Sequence, residues 1–419
     1  MAESNAPLFI QSEVGKLEAV LLHYPGAEVE NMTPRQAQRA LYSDILNLSI
    51  ARKEYDQLLG VLKKSSQVYQ VSDLLTRVLE HDELKAELIR SICEIEQVPS
   101  YRDYLLSLPA PLLSSVLIEG LPLQIETLTD FLREEYYALD PLYNFYFTRD
   151  PSVVIGQSAL VCKMANNVRA RETLIMEALF KSGIFGTPSL INTHELSKND
   201  PRVMIEGGDV LVVNEDILLI GNGARTSSEG IDLLVKEFCK FGTGRKHVVV
   251  QQLPHSPESF IHLDMVFTLL DHDKAMIYKP LIMSGSPHPT VHIEIEHGRV
   301  SKISQADGIL PLLRRLGVEL DPVVCGGKAD EWNQEREQWH SGANFLAIAP
   351  GKVISYARNI HTLEELNENG FEVVAANEVI QGKYDLESSG RYVITIEGSE
   401  LPRGGGGPRC MTMPLRRSL

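Results

Sequence analysis

Cys410 stands late in the chain, in RGGGGPRCMTMPL (403–415), directly after a run of four glycines and Pro408-Arg409. Three other stretches place ionisable groups immediately before a strand-like run. They are Arg149-Asp150 before PSVVIG, Glu206-Gly207-Gly208-Asp209 before VLVV, and His262-Leu263-Asp264 before MVFT. A lone aspartate before a strand is ordinarily a turn or cap residue. Asp, Glu, His and Cys at four equivalent places ask for a common explanation. On a strand, residues i and i+2 share a face, so His262 and Asp264 are expected to point the same way. A thiol attacks as its thiolate, which forms near neutral pH only beside positive charge. An imidazole can carry protons to a leaving group and from water. Two aspartates have no task at an ester or amide carbonyl, where one orienting carboxylate suffices. They match a planar guanidinium, which takes carboxylates through paired, parallel hydrogen bonds. A bound guanidinium would also lower the thiol pKa. Together these residues predict attack of Cys410 on the central carbon of a guanidine.

The glycines at 404–407 need a reason too, since each loses more backbone freedom on ordering than any other residue. MTMPL reads as a buried strand rather than a tail, so the run predicts a loop whose backbone closes over a bound molecule. It lacks the strand–GxGxxG–helix setting of a dinucleotide site, and no cofactor is expected. HPTVHIEIEH (288–297) spaces His288, His292 and His297 like metal ligands, but alternation turns His297 away, so a solvated hairpin is expected and no metal. Asp271-His272-Asp273 reads as a hairpin turn. Trp332 and Trp339, in a charged helix, are expected to pack.

Positioning such groups takes a scaffold that repeats. LEAVLLH (17–23) reads as a buried strand, and a helical pattern runs from about Gln36 to Lys64, through Leu41, Ile45, Leu48, Leu58, Leu59 and Leu62. After the short strand VYQV, residues 72–139 are helical throughout by pattern. From there the chain repeats a two-stranded ribbon followed by an amphipathic helix and another strand. The ribbons are PSVVIG-QSALVCKM, DVLVV-NED-ILLIGN, DMVFTLLDHDKAMIYK and NFLAIAPGKVISYARN, and CMTMPL completes a fifth with LEAVLLH. Units that bury their faces only against neighbours suggest a closed array. The expected fold is a five-bladed pseudosymmetric α/β propeller formed by residues 1–71 and 140–419, with an α-helical subdomain inserted at 72–139.

Composition narrows the partners. The net charge of −16, spread along 419 residues, argues against nucleic acid or an anionic membrane and suits a cationic substrate. A hydrophobic share of 43% is that of a globular chain with a sizeable core. The first 20 residues have no basic start and no continuous apolar segment, so no signal peptide is expected. No apolar run approaches the ~18–20 residues of a membrane span. Cys93, Cys162, Cys239, Cys325 and Cys410 are scattered singly, which predicts free thiols and a cytoplasmic setting.

The motifs LHYPGAEVENMTP, YNFYFTRDP, RARET, EGGDVLVV, GNGARTS, HLDMVFT, REQW, LAIAPG, YARN and RCMTMPL, in this order and nearly end to end, resemble the arginine deiminase family. That family belongs to the guanidine-modifying enzymes of the five-bladed α/β propeller (pentein) fold. The resemblance implies hydrolysis of L-arginine to L-citrulline and ammonia without a cofactor, by a homo-oligomer (dimer or tetramer). It implies that Cys410 attacks the guanidinium carbon while Asp150 and Asp264 hold its nitrogens. His262 would serve as proton carrier and Glu206 would orient it. Arg169, Arg225 and Asn144 would bind the substrate carboxylate, backbone carbonyls near Leu41, Phe147 and Gly404 would meet its amino group, and Asp209 joins the substrate-binding set. The chain departs from the family where Gly405 stands in place of an arginine regarded as a gate, leaving Arg403 or Arg409 as substitutes, and again at WHSGANF (339–345). An amidinotransferase of the same fold and a non-catalytic arginine-binding protein are the other readings.

Overall fold

PSVVIG and QSALVCKM form an antiparallel ribbon, Ser152–Ile155 against Ser158–Val161. The helix Ala170–Lys181 then returns the chain so that Ser189–Asn192 pairs in parallel with the second ribbon strand. The computed structural model describes residues 7–418 apart from 40, 41, 43, 126, 133–135, 199 and 284. Among the described residues this plan occurs five times. Val210–Asn214 and Ile217–Asn222 form a ribbon that takes Lys246–Gln252 as its parallel strand. Phe267–Leu269 and Lys274–Ile277 take Asp321–Val324, and Leu346–Ala349 and Lys352–Tyr356 take Arg391–Ile396. The fifth ribbon joins Lys16–Leu22 to Met413–Ser418 across the length of the chain, with Gln67–Gln70 in parallel.

Most ribbon strands are buried on both faces, as in the run BBBB over Ser152–Ile155, which is why they read as continuous apolar segments rather than alternating ones. Side-chain caps fix where several helices start. Ser227 accepts from the Gly230 N–H at the start of Ser228–Phe238, and Asn47 accepts from Ser49 and Ile50 at the start of Leu48–Ser65. The Asn47 cap also corrects the long helix expected over 36–64. Two helices, Pro34–Arg39 and Leu48–Ser65, are found there, and the described residues between them, 42 and 44–47, are not helical.

Residues 72–139 are not helical throughout. Helices Val71–Leu79, Asp82–Ile95, Arg102–Ser107 and Ala110–Glu119 end at Gly120, whose φ of +93 no other residue adopts without strain. Beyond it a short ribbon, Leu121–Pro122 with Tyr137–Leu139, brackets one helical turn at Leu128–Leu132. These helices share one apolar cluster with the ribbon of Ser152–Val161 and its helix Ala170–Lys181, in which Leu75, Ile89 and Ile92 join Leu160, Ile175 and Leu179. A further departure lies in the sheet of Lys352–Tyr356. There Phe371–Ala375, the strand that directly follows the helix Ile360–Glu368, takes the outer position, and Arg391–Ile396 slots between.

HPTVHIEIEH does form a hairpin, Thr290–Glu296 with Arg299–Ala306, which extends the sheet of Lys246–Gln252. His292 faces His247 at 3.0 Å, not His288. The turn at 271–273 is where expected, with Asp271 and Asp273 both paired to Arg391. Trp332 and Trp339 do not pack as expected: they are 84% and 45% exposed, on a helix whose buried side is polar (Gln334, Glu337, Gln338). No described helix is long and apolar enough to cross a membrane, and all five cysteines are free thiols.

Candidate active site

Two of the polar motifs fold into the same local device. Glu206 and His262 each adopt extended φ/ψ and precede a single 3₁₀ turn, Gly207–Asp209 and Leu263–Met265, that opens into a ribbon strand. His262 and Asp264 therefore reach the site from a turn and not from alternate positions of a strand, as the spacing suggested. The two turns are joined. The Leu263 N–H donates to Asp209 Oδ1 at 2.8 Å, and His262 Nε2 donates to Glu206 Oε2 at 2.9 Å. Gly208 makes that approach possible, since a Cβ there would lie 2.4 Å from His262 Nδ1. Gly208→Ala is expected to displace the imidazole and lower kcat by about 10–100-fold, while KM for substrate changes less. Steady-state kinetics on a folded variant checks this.

Asp150 closes the opposite side. Its Oδ2 accepts from Arg169 Nη1 at 2.6 Å, while Oδ1 lies 3.7 Å from His262 Nδ1 and is buried without a hydrogen-bond partner. Cys410 Sγ sits 3.5 Å from Asp264 Oδ2 and accepts from Asn344 Nδ2 at 3.1 Å. Asp264 Oδ2 also receives Arg409 Nη1 at 2.9 Å, leaving Oδ1 buried and unpartnered. Buried polar atoms are rarely left unsatisfied. Two carboxylate oxygens in that condition near one thiol call for a ligand that brings several N–H donors.

The charges favour the same ligand. Burial works against an imidazolium at His262, but Asp150, Glu206 and Asp209 override it and raise its pKa to about 9. Burial would raise Glu206, yet Arg225, His262 and Arg169 hold it at about 2. Burial pushes Asp209 up to about 7. The Cys410 thiol is pushed well above its ordinary value by burial and by the Asp264 and Asp150 carboxylates. A cation bound between these carboxylates would relieve that penalty. Asp150, Glu206 and His262 also lie close enough together to hold a metal ion. Positive charge from Arg169 and the imidazolium already faces this set, which disfavours one.

A cleft of about 360 Å³ beside the thiol is lined by Asn144, Phe147, Asp150, Arg169, Arg225, His262 and Gly404, together with Cys410. Asp264, Glu206 and Asp209 stand behind that wall. Asp209, expected among the substrate-binding residues, is fully buried beneath the His262 turn, with one oxygen committed to Leu263. Arg169 directs its donors to Asp150, to both oxygens of Glu172 and to the carbonyls of Asn144 and Phe147. Arg225 approaches Glu206 only at 3.6 Å, beyond hydrogen-bond reach. Leu41 lies outside the described residues. The glycine run is a close backbone approach: a Cβ on Gly404 would strike Tyr146 Oη, and one on Gly406 would strike Phe147.

Neither arginine suggested as a gate stands free over the cleft. Arg409 is buried behind Cys410 between Asp264 and Glu13, and Arg403 pairs with Asp44 and Glu400. Two site residues had no signal in the sequence. Asn344 lies inside WHSGANF, marked only as a departure from pattern, and Glu13 lies in an unremarkable N-terminal segment. Asn344 Oδ1 accepts from the backbone N–H of Arg409 and of Cys410, so one amide fixes both the thiol and its peptide.

A family model described as "Arginine deiminase" matches residues 38–417. The arginine deiminase of Bacillus cytotoxicus is 35% identical over 433 residues, covering 98% of this chain and 98% of that protein. The arginine deiminase of Latilactobacillus sakei is 32% identical over 431 residues, covering 99% of each. Among solved structures, an amidinotransferase of saxitoxin biosynthesis from Microseira wollei matches with a TM-score of 0.54 at 14% identity, over 99% of this chain and 98% of that one. DDAH from Pseudomonas aeruginosa, complexed with citrulline, matches with a TM-score of 0.51 at 14% identity, over 95% and 99%. These structural likenesses concern the mixed α/β fold alone.

Proposed function

The chain belongs to the arginine deiminase family, hydrolases of the guanidino C–N bond of L-arginine, and we propose that it performs this reaction through Cys410. The observation that carries the proposal is the pair of unpartnered carboxylate oxygens, on Asp150 and Asp264, beside the Cys410 thiol and the His262 imidazole.

The guanidinium of L-arginine would donate to Asp150 and Asp264, and its positive charge would draw the Cys410 thiol toward thiolate. Sulfur then bonds to the guanidino carbon. His262 gives its proton to the departing nitrogen, ammonia leaves, and a thiouronium intermediate remains. A water that loses a proton to His262 attacks the same carbon, the C–S bond breaks, and L-citrulline and the thiolate are released. Glu206 keeps the imidazole oriented and protonated. Arg225 and Asn144 would meet the substrate carboxylate, with Arg169 joining them if it exchanges a protein partner for substrate. Carbonyls near Phe147 and Gly404 would meet the amino group.

His262 is protonated below about 9 and loses its proton as pH rises through that value. Turnover that needs imidazolium is therefore expected to fall on an alkaline limb near pH 9, and Glu206→Gln should move the limb to lower pH. A pH profile of kcat for both proteins checks this.

The five repeated ribbons support blades of a five-bladed α/β propeller, formed by residues 1–71 and 140–419 with 72–139 inserted. A cytoplasmic homo-oligomer, dimer or tetramer, completes the proposal. The test is product analysis on L-arginine, with and without glycine as amidine acceptor and with a chelator. Equal amounts of citrulline and ammonia, unaffected by either addition, are expected. Guanidinoacetate formed from glycine would instead identify an amidinotransferase, and loss of turnover with chelator would require a metal.

A further inference from the structure

The catalytic cleft does not end at Arg225. A second cavity of about 480 Å³ shares Arg225, Ile261 and Gly405 with it, and continues between Trp339, Met265 and Glu258. The junction is open on the glycine side, because Gly405 has φ +89 and a Cβ there would meet nothing within 4 Å. Trp339 accounts for its exposure here: an indole 45% exposed forms one apolar wall, with Ile261 and Met265 near it. Free arginine, with its guanidinium at Cys410 and its carboxylate at Arg225, would occupy only the first chamber. The second begins where that carboxylate ends.

We propose that the site also deiminates arginine α-amides, in particular arginine at the N-terminus of a short peptide whose second residue is apolar. This rests on the deiminase reading above. The arginine keeps its free amino group, Arg225 donates to the amide carbonyl in place of a carboxylate, and the second side chain is buried against Trp339, Ile261 and Met265. Glu258, in the same cavity, disfavours an acidic second residue by like charge. The bonds that change are those of the parent reaction: one guanidino C–N bond breaks, water supplies the oxygen, and ammonia leaves. The peptide product carries citrulline in place of arginine.

The test compares L-arginine, arginyl-leucinamide and arginyl-glutamamide on the full chain, reading the ureido product by mass spectrometry and kcat/KM for each. Arginyl-leucinamide should be turned over, and arginyl-glutamamide at least about tenfold less efficiently. Trp339→Ala, outside the catalytic cleft, should lower kcat/KM for arginyl-leucinamide by about tenfold and leave that for arginine within about twofold. Turnover of arginine without turnover of arginyl-leucinamide overturns the inference and leaves the deiminase reading intact. Equal losses for both substrates in Trp339→Ala also overturn it. If arginine itself is not turned over, the deiminase reading fails, and calorimetry on Cys410→Ala decides the cavity. Binding of arginyl-leucinamide that Trp339→Ala weakens supports the second chamber, and absence of binding overturns it.

Discussion

Cys410→Ala is expected to reduce citrulline formation at least ~10⁴-fold while arginine still binds. Cys410 is the one thiol among the described residues lining the cleft, and the other four lie elsewhere. Alanine removes the sulfur that accepts from Asn344 and donates to Asp264, but keeps the backbone N–H that Asn344 Oδ1 receives. The loop should therefore hold its shape. Assay of citrulline, with calorimetry of arginine binding and circular dichroism on the same protein, tests the claim. Retained turnover in a folded variant would remove the covalent mechanism, whereas loss of both binding and fold would leave the structural role of the side chain to explain it.

Asp264→Asn should act in two directions at once. The carboxylate is fully buried, pairs with Arg409 and lies 3.5 Å from the sulfur. As a guanidinium holder its loss should lower kcat/KM by about 10²–10³-fold, the usual scale for one preorganised charge contact. In the free protein, however, Asp264 is the largest charge raising the thiol pKa, second only to burial. Removing it should lower that pKa, so iodoacetamide should alkylate Cys410 faster at neutral pH even as turnover collapses. A merely structural defect would not give that pair of results. Slower or unchanged alkylation would show that burial alone controls the thiol.

The chemistry was legible because side-chain type carries it. Cys410, His262, Asp150, Asp264 and Glu206 were readable as one constellation before any contact was known. The ribbons were legible for a related reason, since doubly buried strands announce themselves as apolar runs. What failed was local geometry. His262 and Asp264 converge through a 3₁₀ turn, which an i, i+2 rule cannot distinguish from a strand. The helical pattern over 36–64 hid a break because apolar spacing does not register a capping asparagine unless it is sought. Asn344 and Glu13 were invisible for a deeper reason. Their roles arise from partners at 344/410 and 13/409, and a neutral amide or single carboxylate has no spacing signature of its own. Asp209, expected among the substrate-binding residues, lies fully buried with one oxygen accepting from the Leu263 N–H, a contact that sequence spacing does not reveal.

The ribbon that joins Lys16–Leu22 to Met413–Ser418 has a temporal consequence. On the ribosome, Lys16–Leu22 waits until the four intervening ribbons have been made before its antiparallel partner Met413–Ser418 emerges. Glu13 and Arg409, which clasp behind the nucleophile, are separated by the same interval. Long-range pairing of this kind is paid for in loop closure and forms late. A nascent chain released early would hold Asp150, Glu206, His262 and Asp264 but no seated thiol. Reactive sulfur at this site thus appears only after the other four ribbons have been made, and Lys16–Leu22 must meanwhile be kept from pairing with the wrong edge.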